Sequence, residues 1–489
     1  MRSALLRFAL VAFAPVALAA QEPVDRAMIV RIGGEAMDHS RVLETFNHLT
    51  NVIGPRLTNS PAHRAALEYV RGRLGEWGLS NVDFETWPFG RGWTMERMTL
   101  ELVAPRFAPL VGYPEAWTPS MAAPVTATPV YLGDKTAEEI EAMGDKIKGA
   151  IVMPFKPQAA FIVQDRPQPA DHDEAVRSGA PPGVRSEATT PLNAMLPILK
   201  RLGAAVILRP NQGQHGTVFV QSGARTTAPD ATPSLIMESE HYNEVVRALQ
   251  SGVDVKLHVD VGTKFYAADT NSANVIAEIP GEDPVLKNEV VLLGAHVDSW
   301  HTGTGATDNA DAVSSLMETM RILKAIGIHP RRTIRLAIWS GEEEGLLGSA
   351  AYATAHYAGD ANAAARDAVS VYLNDDPGTG PTYGFYMENN AAAKAIFDAW
   401  LGALTNIGMK KNVIGGIGST DHLSFTRLGI PGFTAIKDYT DYDTRLHHTN
   451  VDTYERVDEA SLRQSAIVMA VFAYHAAMRN EKIPRATAR

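Results

Sequence analysis

Three adjacent glutamates end an apolar stretch in the second half of the chain, within the run Trp339-Ser340-Gly341-Glu342-Glu343-Glu344-Gly345. Adjacent carboxylates can take different duties, because one can bind a metal ion while its neighbour moves a proton. Acidic runs on their own are usually solvated surface charge. The chemical interest of this run therefore depends on the ligand-type residues that accompany it.

Histidines and further carboxylates recur at ordered intervals around this run. They lie in GAHVDSW at 294–300, GATDNA at 305–310, NDD at 374–376 and RLHHT at 445–449. Two histidines and three carboxylates are what two zinc ions about 3.5–4 Å apart would need, with one carboxylate bridging and a water shared between them. Neither helix nor strand periodicity would require this set of residues. The pattern predicts a site that activates water.

Strand-like runs alternate with helical runs from Ser272 onward, which predicts an α/β sandwich around a largely buried sheet. In open α/β sheets, ligands gather beyond the carboxyl ends of the strands. The strand candidates are 290–293, 333–339, 369–373 and 433–436. The candidate site residues follow these strands in order: His296 and Asp298 the first, Glu342 and Glu343 the second, Asp376 the third, and His448 beyond the fourth.

The chain has 489 residues and no cysteine. Any metal must therefore be held by nitrogen and oxygen ligands, and neither disulfides nor thiolate chemistry is available. The formal net charge is −10, and no basic block is present, which disfavours nucleic acid as a partner.

The first twenty residues have the pattern of an export signal. Arg2 and Arg7 precede an apolar centre, and small residues at 16–20 predict a cleavage site before Gln21. No other stretch reaches the roughly 18 consecutive apolar residues that a membrane anchor needs. We therefore expect residues 1–20 to be a signal peptide and the mature protein to be periplasmic or extracellular, without a membrane partner.

The middle of the chain has a different texture, with short strands and small helices from about Val125 to Gly262. Val255, Leu257, Val259 and Val261 alternate with polar residues, as in a strand with one solvated face. We predict an inserted β-rich module at 121–265. On this prediction the main domain comprises 21–120 and 266–489.

Together, the motifs resemble those of the zinc exopeptidases that include bacterial leucyl aminopeptidases and the plasma glutamate carboxypeptidase. The resemblance depends on HVDSW with Asp308 twelve positions after His296, on WSGEEEG, on an acid two places before Gly378-Thr379-Gly380, and on HHTNVDT. It implies a mixed, mostly parallel sheet between helices, with a protease-associated domain as the insert. It also implies peptide substrates and makes a homodimer plausible.

The resemblance further implies a role for each site residue. It implies two zinc ions per chain, with His296 and Asp376 on one, Glu343 and His448 on the other, and Asp308 on both. It implies that Glu342 is the general base. Asp298 would support the His296 imidazole through its second nitrogen, as an orienting residue and not a ligand.

Four positions and one loop leave alternatives open. Asp375 could compete with Asp376 for the metal, and His447 adjoins His448 but is expected to be a packing or hydrogen-bonding residue. His301 and Asp311 depart from the residues expected in relatives, so the pocket edge is expected to differ there. The loop Ser419–His422 could line the substrate pocket or be an ordinary polar turn.

Three classes of function compete on the sequence alone. The first is an exopeptidase that acts as aminopeptidase, dipeptidase or carboxypeptidase, and the sequence does not choose among these. The second is a non-catalytic, receptor-like relative, and the third is a glutaminyl cyclase-like acyltransferase with a single zinc. The chain has no G-x-S-x-G elbow and no Walker phosphate loop, which disfavours a serine hydrolase and a nucleotide enzyme.

Overall fold

The computed structural model describes residues 22–168, 182–220 and 231–486. The predicted signal peptide at 1–20 lies outside these residues. The described strands are β1 (Ser80–Pro88), β2 (Gly92–Ala104), β3 (Ala108–Pro109), β4 (Gly112–Pro114), β5 (Val125–Ala127), β6 (Val130–Tyr131), β7 (Ile151–Met153), β8 (Val206–Pro210), β9 (Ser234–Met237), β10 (Lys256–Tyr266), β11 (Asn271–Ile279), β12 (Val290–His296), β13 (Thr333–Trp339), β14 (Val369–Asn374), β15 (Thr379–Tyr386) and β16 (Gly432–Asp438). The described α-helices are α1 (Arg26–Asp38), α2 (Val42–Asn47), α3 (Pro61–Glu76), α4 (Ala137–Ala142), α5 (Leu192–Leu202), α6 (Ser239–Gln250), α7 (Asp311–Ala325), α8 (Leu347–Tyr357), α9 (Ala363–Ala368), α10 (Ala391–Leu401), α11 (His422–Thr426) and α12 (Glu459–Met478).

The main sheet has seven strands in the order β1-β11-β13-β12-β14-β16-β15. Its four central strands, β13, β12, β14 and β16, are parallel, and the strands outside them pair antiparallel. The predicted mixed α/β fold is confirmed, with parallel pairing confined to the centre of the sheet.

Burial on both faces explains why the central strands are continuous apolar runs. Every residue of β12 and β14 is buried, as expected for parallel strands covered by helices on two sides. On one face the core includes residues of α1, α3, α7 and α12, and on the other it includes residues of α8 and α11. This packing fixes the carboxyl ends of the central strands, from which the predicted ligands emerge.

Two smaller sheets stand beside the main sheet. One has four strands in the order β3-β2-β10-β5, and the other has five in the order β4-β9-β8-β7-β6. The strand predicted from the alternation at 255–261 is β10, and it pairs along its length with β2, which lies before the predicted insert. The boundaries at 121 and 265, and the identification of the insert with a protease-associated domain, stay predictions.

None of the helices in the described ranges combines the length and the apolar character that crossing a membrane would require.

Candidate metal centre

The carboxyl ends of the central parallel strands meet at one edge of the main sheet. β12 ends at His296, and Asp376 lies two residues beyond β14. The loop after β13 carries Glu342 and Glu343. Residues that are far apart in the sequence therefore reach one site, as expected for an open α/β sheet.

His296 presents one ring nitrogen to this site. Its Nδ1 lies 3.0 Å from the carbonyl oxygen of Asp298 and must donate, because a carbonyl oxygen only accepts. When the ring is neutral, its lone pair is therefore on Nε2. This atom lies 3.3 Å from Oδ1 of Asp308 and 3.6 Å from Oδ1 of Asp376. Ligand atoms of His296, Asp308 and Asp376 all lie within 4.8 Å of one another. These three residues form a first group of candidate ligands.

A second group forms around the other oxygen of Asp308. Nε2 of His448 lies 3.3 Å from Oδ2 of Asp308 and 2.8 Å from Oε2 of Glu343. Nε2 of His447 lies 3.9 Å from the same Asp308 oxygen, and Asp308, His447 and His448 also meet within 4.8 Å. His447 therefore faces the site in addition to packing against Tyr442, with 5.2 Å between the ring centroids.

The site concentrates negative charge in a buried volume. Burial and neighbouring carboxylates raise the pKa of Glu342 and of Glu343 well above the usual range. Burial would also raise the pKa of Asp308, but the rings of His296 and His448 hold it below its usual value. Ionised carboxylates this close together are costly unless cations balance them.

The residues fit a metal ion. Nε2 of His296 and Oε1 of Glu343 are buried and have no hydrogen-bond partner within the described ranges. Both are atoms that bind zinc, and nitrogen and oxygen donors alone can complete such a site. An ion in each group would give these atoms the partner that the protein does not supply.

The carboxylate of Asp298 was expected to orient the His296 ring, but its main contacts are with other groups. Its Oδ1 lies 3.7 Å from Nδ1 of His296, and the ring bonds to the Asp298 backbone carbonyl instead. Its Oδ2 accepts hydrogen bonds from Thr58 Oγ1 at 3.0 Å and from the Glu343 backbone N–H at 3.3 Å. The carboxylate thus joins the end of β12 to the loop that carries Glu343.

The carboxylate of Asp452 fixes the backbone at Thr307 and Asp308. It accepts hydrogen bonds from the backbone N–H and hydroxyl of Thr307, at 2.8 and 2.9 Å, and from the backbone N–H of Asp308, at 3.2 Å. Asp452 belongs to the HHTNVDT motif, so the motif contained a signal for it. Its role as an acceptor for the Asp308 segment was not predicted.

A buried arginine ties the same segment to the N-terminal part of the chain. Arg56 is fully buried. Among the described residues its guanidinium donates only to backbone carbonyls, those of Leu49, Gly54, Val297, Thr304 and Gly305. Sequence reasoning missed this residue, because nothing local marks a lone arginine as buried.

Asp375 and Asp311 both pair with the same buried lysine. Oδ1 of Asp375 lies 3.0 Å from Nζ of Lys437, and Oδ2 of Asp311 lies 2.8 Å from the same ammonium. All three residues are buried. Asp375 therefore faces Lys437, and Asp376 is the acid that faces His296.

The remaining predicted positions lie at the edge of the site or away from it. His301 Nε2 lies 2.8 Å from the carbonyl oxygen of Pro114 and takes no part in either group of ligands. A cavity of about 530 Å³ opens onto the carboxylates, and Ser419 from the predicted loop lines it. The other residues that line it include Arg166, Gly345, Leu346, Pro377, Gly418, Leu423, Arg427 and Tyr442.

Comparisons with known proteins place the chain close to peptidases. The family model "Peptidase family M28" matches residues 274–473. Carboxypeptidase Q of Mus musculus is 26% identical over 473 residues, which cover 96% of this chain and 92% of that protein. Leupeptin-inactivating enzyme 1 of Streptomyces exfoliatus is 28% identical over 227 residues, 42% of this chain and 49% of that protein.

Solved structures share the fold. The peptidase M28 precursor of Shewanella amazonensis SB2B superposes with a TM-score of 0.70 at 22% identity, over 95% of this chain and 99% of that one. A zinc aminopeptidase of Bacillus subtilis superposes with a TM-score of 0.58 at 17% identity, over 90% of this chain and 95% of that one. The match of residues 274–473 to peptidase family M28, together with relatives that align along most of the chain, confirms the predicted resemblance to the zinc exopeptidases.

Proposed function

We propose that the chain is an exopeptidase that binds two zinc ions and hydrolyses a peptide bond near the end of a peptide. The observation that carries the proposal is the position of Asp308. Its two carboxylate oxygens face different histidines, Oδ1 towards His296 and Oδ2 towards His448, each at 3.3 Å. A carboxylate shared in this way suits two metal positions side by side.

The ligands divide between the two positions. His296 and Asp376 would hold one ion, Glu343 and His448 the other, and Asp308 both. When bound, the ions supply Lewis acidity towards a peptide carbonyl and lower the pKa of water. The protein's part is to hold these side chains at fixed strand ends in a buried site.

Glu342 is the proposed proton carrier. It lines the cleft, and its Oε2 lies 4.0 Å from Nε2 of His296. Its carboxylate accepts a proton from the attacking water and then delivers it to the departing amine. Burial raises its pKa, which suits a group that must both take and return a proton near neutral pH.

Two substitutions separate proton transfer from metal binding. Glu342→Gln keeps the size of the side chain but cannot accept a proton, so we expect retained zinc and a loss of at least about 100-fold in kcat. Asp308→Asn should lose zinc as well as activity, because it removes the shared anion. Zinc content and peptide hydrolysis are measured on both purified variants.

Glu344→Gln is the matched control, since it makes the same change at the neighbouring position and should keep both zinc and activity. Normal turnover in Glu342→Gln would remove that residue from the mechanism.

Metal stoichiometry distinguishes the main alternative. The proposal requires two zinc ions per chain, whereas a glutaminyl cyclase-like acyltransferase would work with one. A non-catalytic relative would hydrolyse no peptide at any zinc content. Elemental analysis of the purified protein, together with hydrolysis assays with and without a chelator, separates the three.

We also propose that the protein is exported to the periplasm or the medium. The support is the signal pattern of residues 1–20, with cleavage before Gln21. The proposed partners are peptide substrates, and a homodimer is proposed on the family resemblance alone.

A further inference from the structure

The cleft over the metal centre contains both signs of charge. Its charged lining consists of the carboxylates of Asp308, Glu342, Glu343 and Asp376, the histidines at 447 and 448, and the guanidiniums of Arg166 and Arg427. On the proposed function, two divalent cations would balance the four carboxylates. The charge that a substrate meets in the rest of the cleft would then depend on the two arginines.

Arg166 is already paired. It is buried, and its Nε and Nη2 lie 2.8 and 2.6 Å from the two carboxylate oxygens of Asp443. Its guanidinium also packs over the rings of Tyr439 and Tyr442. The Asp443 carboxylate therefore compensates this positive charge.

Arg427 has no such partner among the residues that the structure describes. It follows α11 directly, and its backbone N–H donates to the carbonyl of Leu423, which also lines the cleft. The side chain is exposed, and within the described ranges its guanidinium has no hydrogen bond and no ion pair. The backbone of Arg427 is thus fixed beside the cleft, and its guanidinium can bind a ligand there.

We propose that Arg427 binds a carboxylate of the substrate and is a specificity-determining residue of the peptidase. A guanidinium offers two parallel N–H donors that match a carboxylate. With its carboxylates balanced by two cations, the metal centre would offer a substrate carboxylate no net positive charge, so that carboxylate would lie towards the guanidinium of Arg427. The carboxylate can belong to the C-terminus of a short peptide or to an acidic side chain. This inference rests on the proposed function and adds the substrate group that the cleft recognises.

Two pairs of substrates test the proposal on the zinc-loaded enzyme. The dipeptide Ala-Leu and its C-terminal amide differ in the terminal carboxylate, and Ala-Glu amide and Ala-Gln amide differ in a side-chain carboxylate. We expect the free acid of at least one pair to have the higher kcat/KM, by about tenfold, which corresponds to one charge-assisted pair. The pair that shows the preference identifies the source of the carboxylate.

Arg427→Met should reduce that preference to within about twofold, mainly through KM. Arg427→Lys should retain part of it, because it keeps the charge but not the paired donors. Arg247→Met is the matched control: Arg247 is also exposed, near the end of α6, and it does not line the cleft. This variant should keep the full preference.

A binding measurement supplies a second readout. In the Glu342→Gln background, calorimetry with the preferred acid should give a Kd about tenfold lower than the same measurement after adding Arg427→Met. The inference is overturned if neither substrate pair shows a preference, or if Arg427→Met keeps the preference at the level of Arg247→Met. Failure of the proposed function would look different, because the zinc-loaded protein would then hydrolyse none of the four substrates.

Discussion

His301 is a buried histidine whose protonation is linked to folding. Its Nε2 lies 2.8 Å from the carbonyl oxygen of Pro114, and its ring meets the edge of Trp93 with 4.9 Å between centroids. Burial lowers its pKa to about 4. A carbonyl oxygen only accepts, so Nε2 carries the hydrogen of this bond, and burial keeps the ring neutral.

This environment predicts a loss of stability in acid. In the unfolded chain the imidazole has a pKa of about 6.5, so between that value and about 4 the unfolded state binds a proton that the folded state does not. The free energy of unfolding therefore falls as pH decreases through this window. At pH 5 the cost is about 2 kcal/mol for this one residue.

His301→Gln tests this prediction, because glutamine can still donate to Pro114 but does not titrate. Between pH 7.5 and pH 5, urea unfolding should show wild type losing about 2 kcal/mol relative to the variant. His356→Gln, which removes an exposed histidine paired with Glu85, is the control. An equal shift in both variants would contradict the prediction.

At this scale the sequence predicts what is local. The motifs indicated which side chains would gather, and the structure brings His296, Asp308, Glu342, Glu343, Asp376 and His448 together. They could not indicate that Asp375 faces Lys437, because residues 375 and 437 meet only through the pairing of β14 with β16. The burial of Arg56 could not be predicted for the same reason, because the carbonyls that accept its hydrogen bonds come from segments far apart in the chain.

At the scale of elements, the loop that carries the second histidine is held from outside the main sheet. We call residues 438–450 the histidine loop. Asp165 accepts hydrogen bonds from the backbone N–H groups of Asp441 and Thr444, both at 2.8 Å, and Arg166 binds Asp443. At the other end of the loop, the Val220 N–H donates to the His448 carbonyl at 3.1 Å. Segments flanking the five-stranded sheet thus fix a candidate metal ligand.

Breaking the Arg166 pair should weaken both folding and zinc binding. Arg166→Met leaves the buried carboxylate of Asp443 without its cation, which typically costs about 3–5 kcal/mol. The histidine loop would also lose one of its anchors, so the zinc ion that we propose at His448 should dissociate at a lower chelator concentration. Urea midpoints and zinc retained after graded chelation measure the two effects.

Arg97→Met is the matched control for this variant. Arg97 makes a similar two-point pair with Asp260, with Nε at 2.7 Å, but its side chain is 63% exposed. An exposed pair of this kind contributes little to stability, because solvent and salt screen its charges. If Arg166→Met behaved like Arg97→Met, the histidine loop would not depend on its outside anchor.

Elements with strong local signals were predictable, and their partners were not. Ser60 caps α3 by accepting from the His63 N–H at 3.1 Å, as Ser60-Pro61 indicates. The alternation at 255–261 gave β10 correctly. β10 pairs with β2, which lies more than 150 residues earlier. This pairing depends on tertiary packing, which a local sequence pattern does not indicate.

At the scale of the whole molecule, residues that are close in sequence belong to different hydrophobic cores. Leu100 on β2 shares a core with Ile151 of β7 and Val206 of β8, in the five-stranded sheet. Leu67 on α3 belongs to the core of the main sheet, with Val275 of β11. Both leucines fall in the stretch 21–120 that was assigned to the main domain. The cores therefore place β2 with the five-stranded sheet.

Local unfolding should follow the cores. Leu100→Ala and Leu67→Ala remove the same side chain from sites that are 3% and 4% exposed, and each should cost about 2–5 kcal/mol. Because regions with a common core tend to open together, Leu100→Ala should accelerate backbone hydrogen exchange in β7 and β8 and leave β12 near its wild-type rate. Leu67→Ala should accelerate exchange in β12 and leave β7 and β8 near their wild-type rates. Mass spectrometry of peptides from these strands measures both effects. If Leu100→Ala accelerated exchange in β12 and left β7 and β8 at their wild-type rates, the result would support the boundary predicted at residue 121.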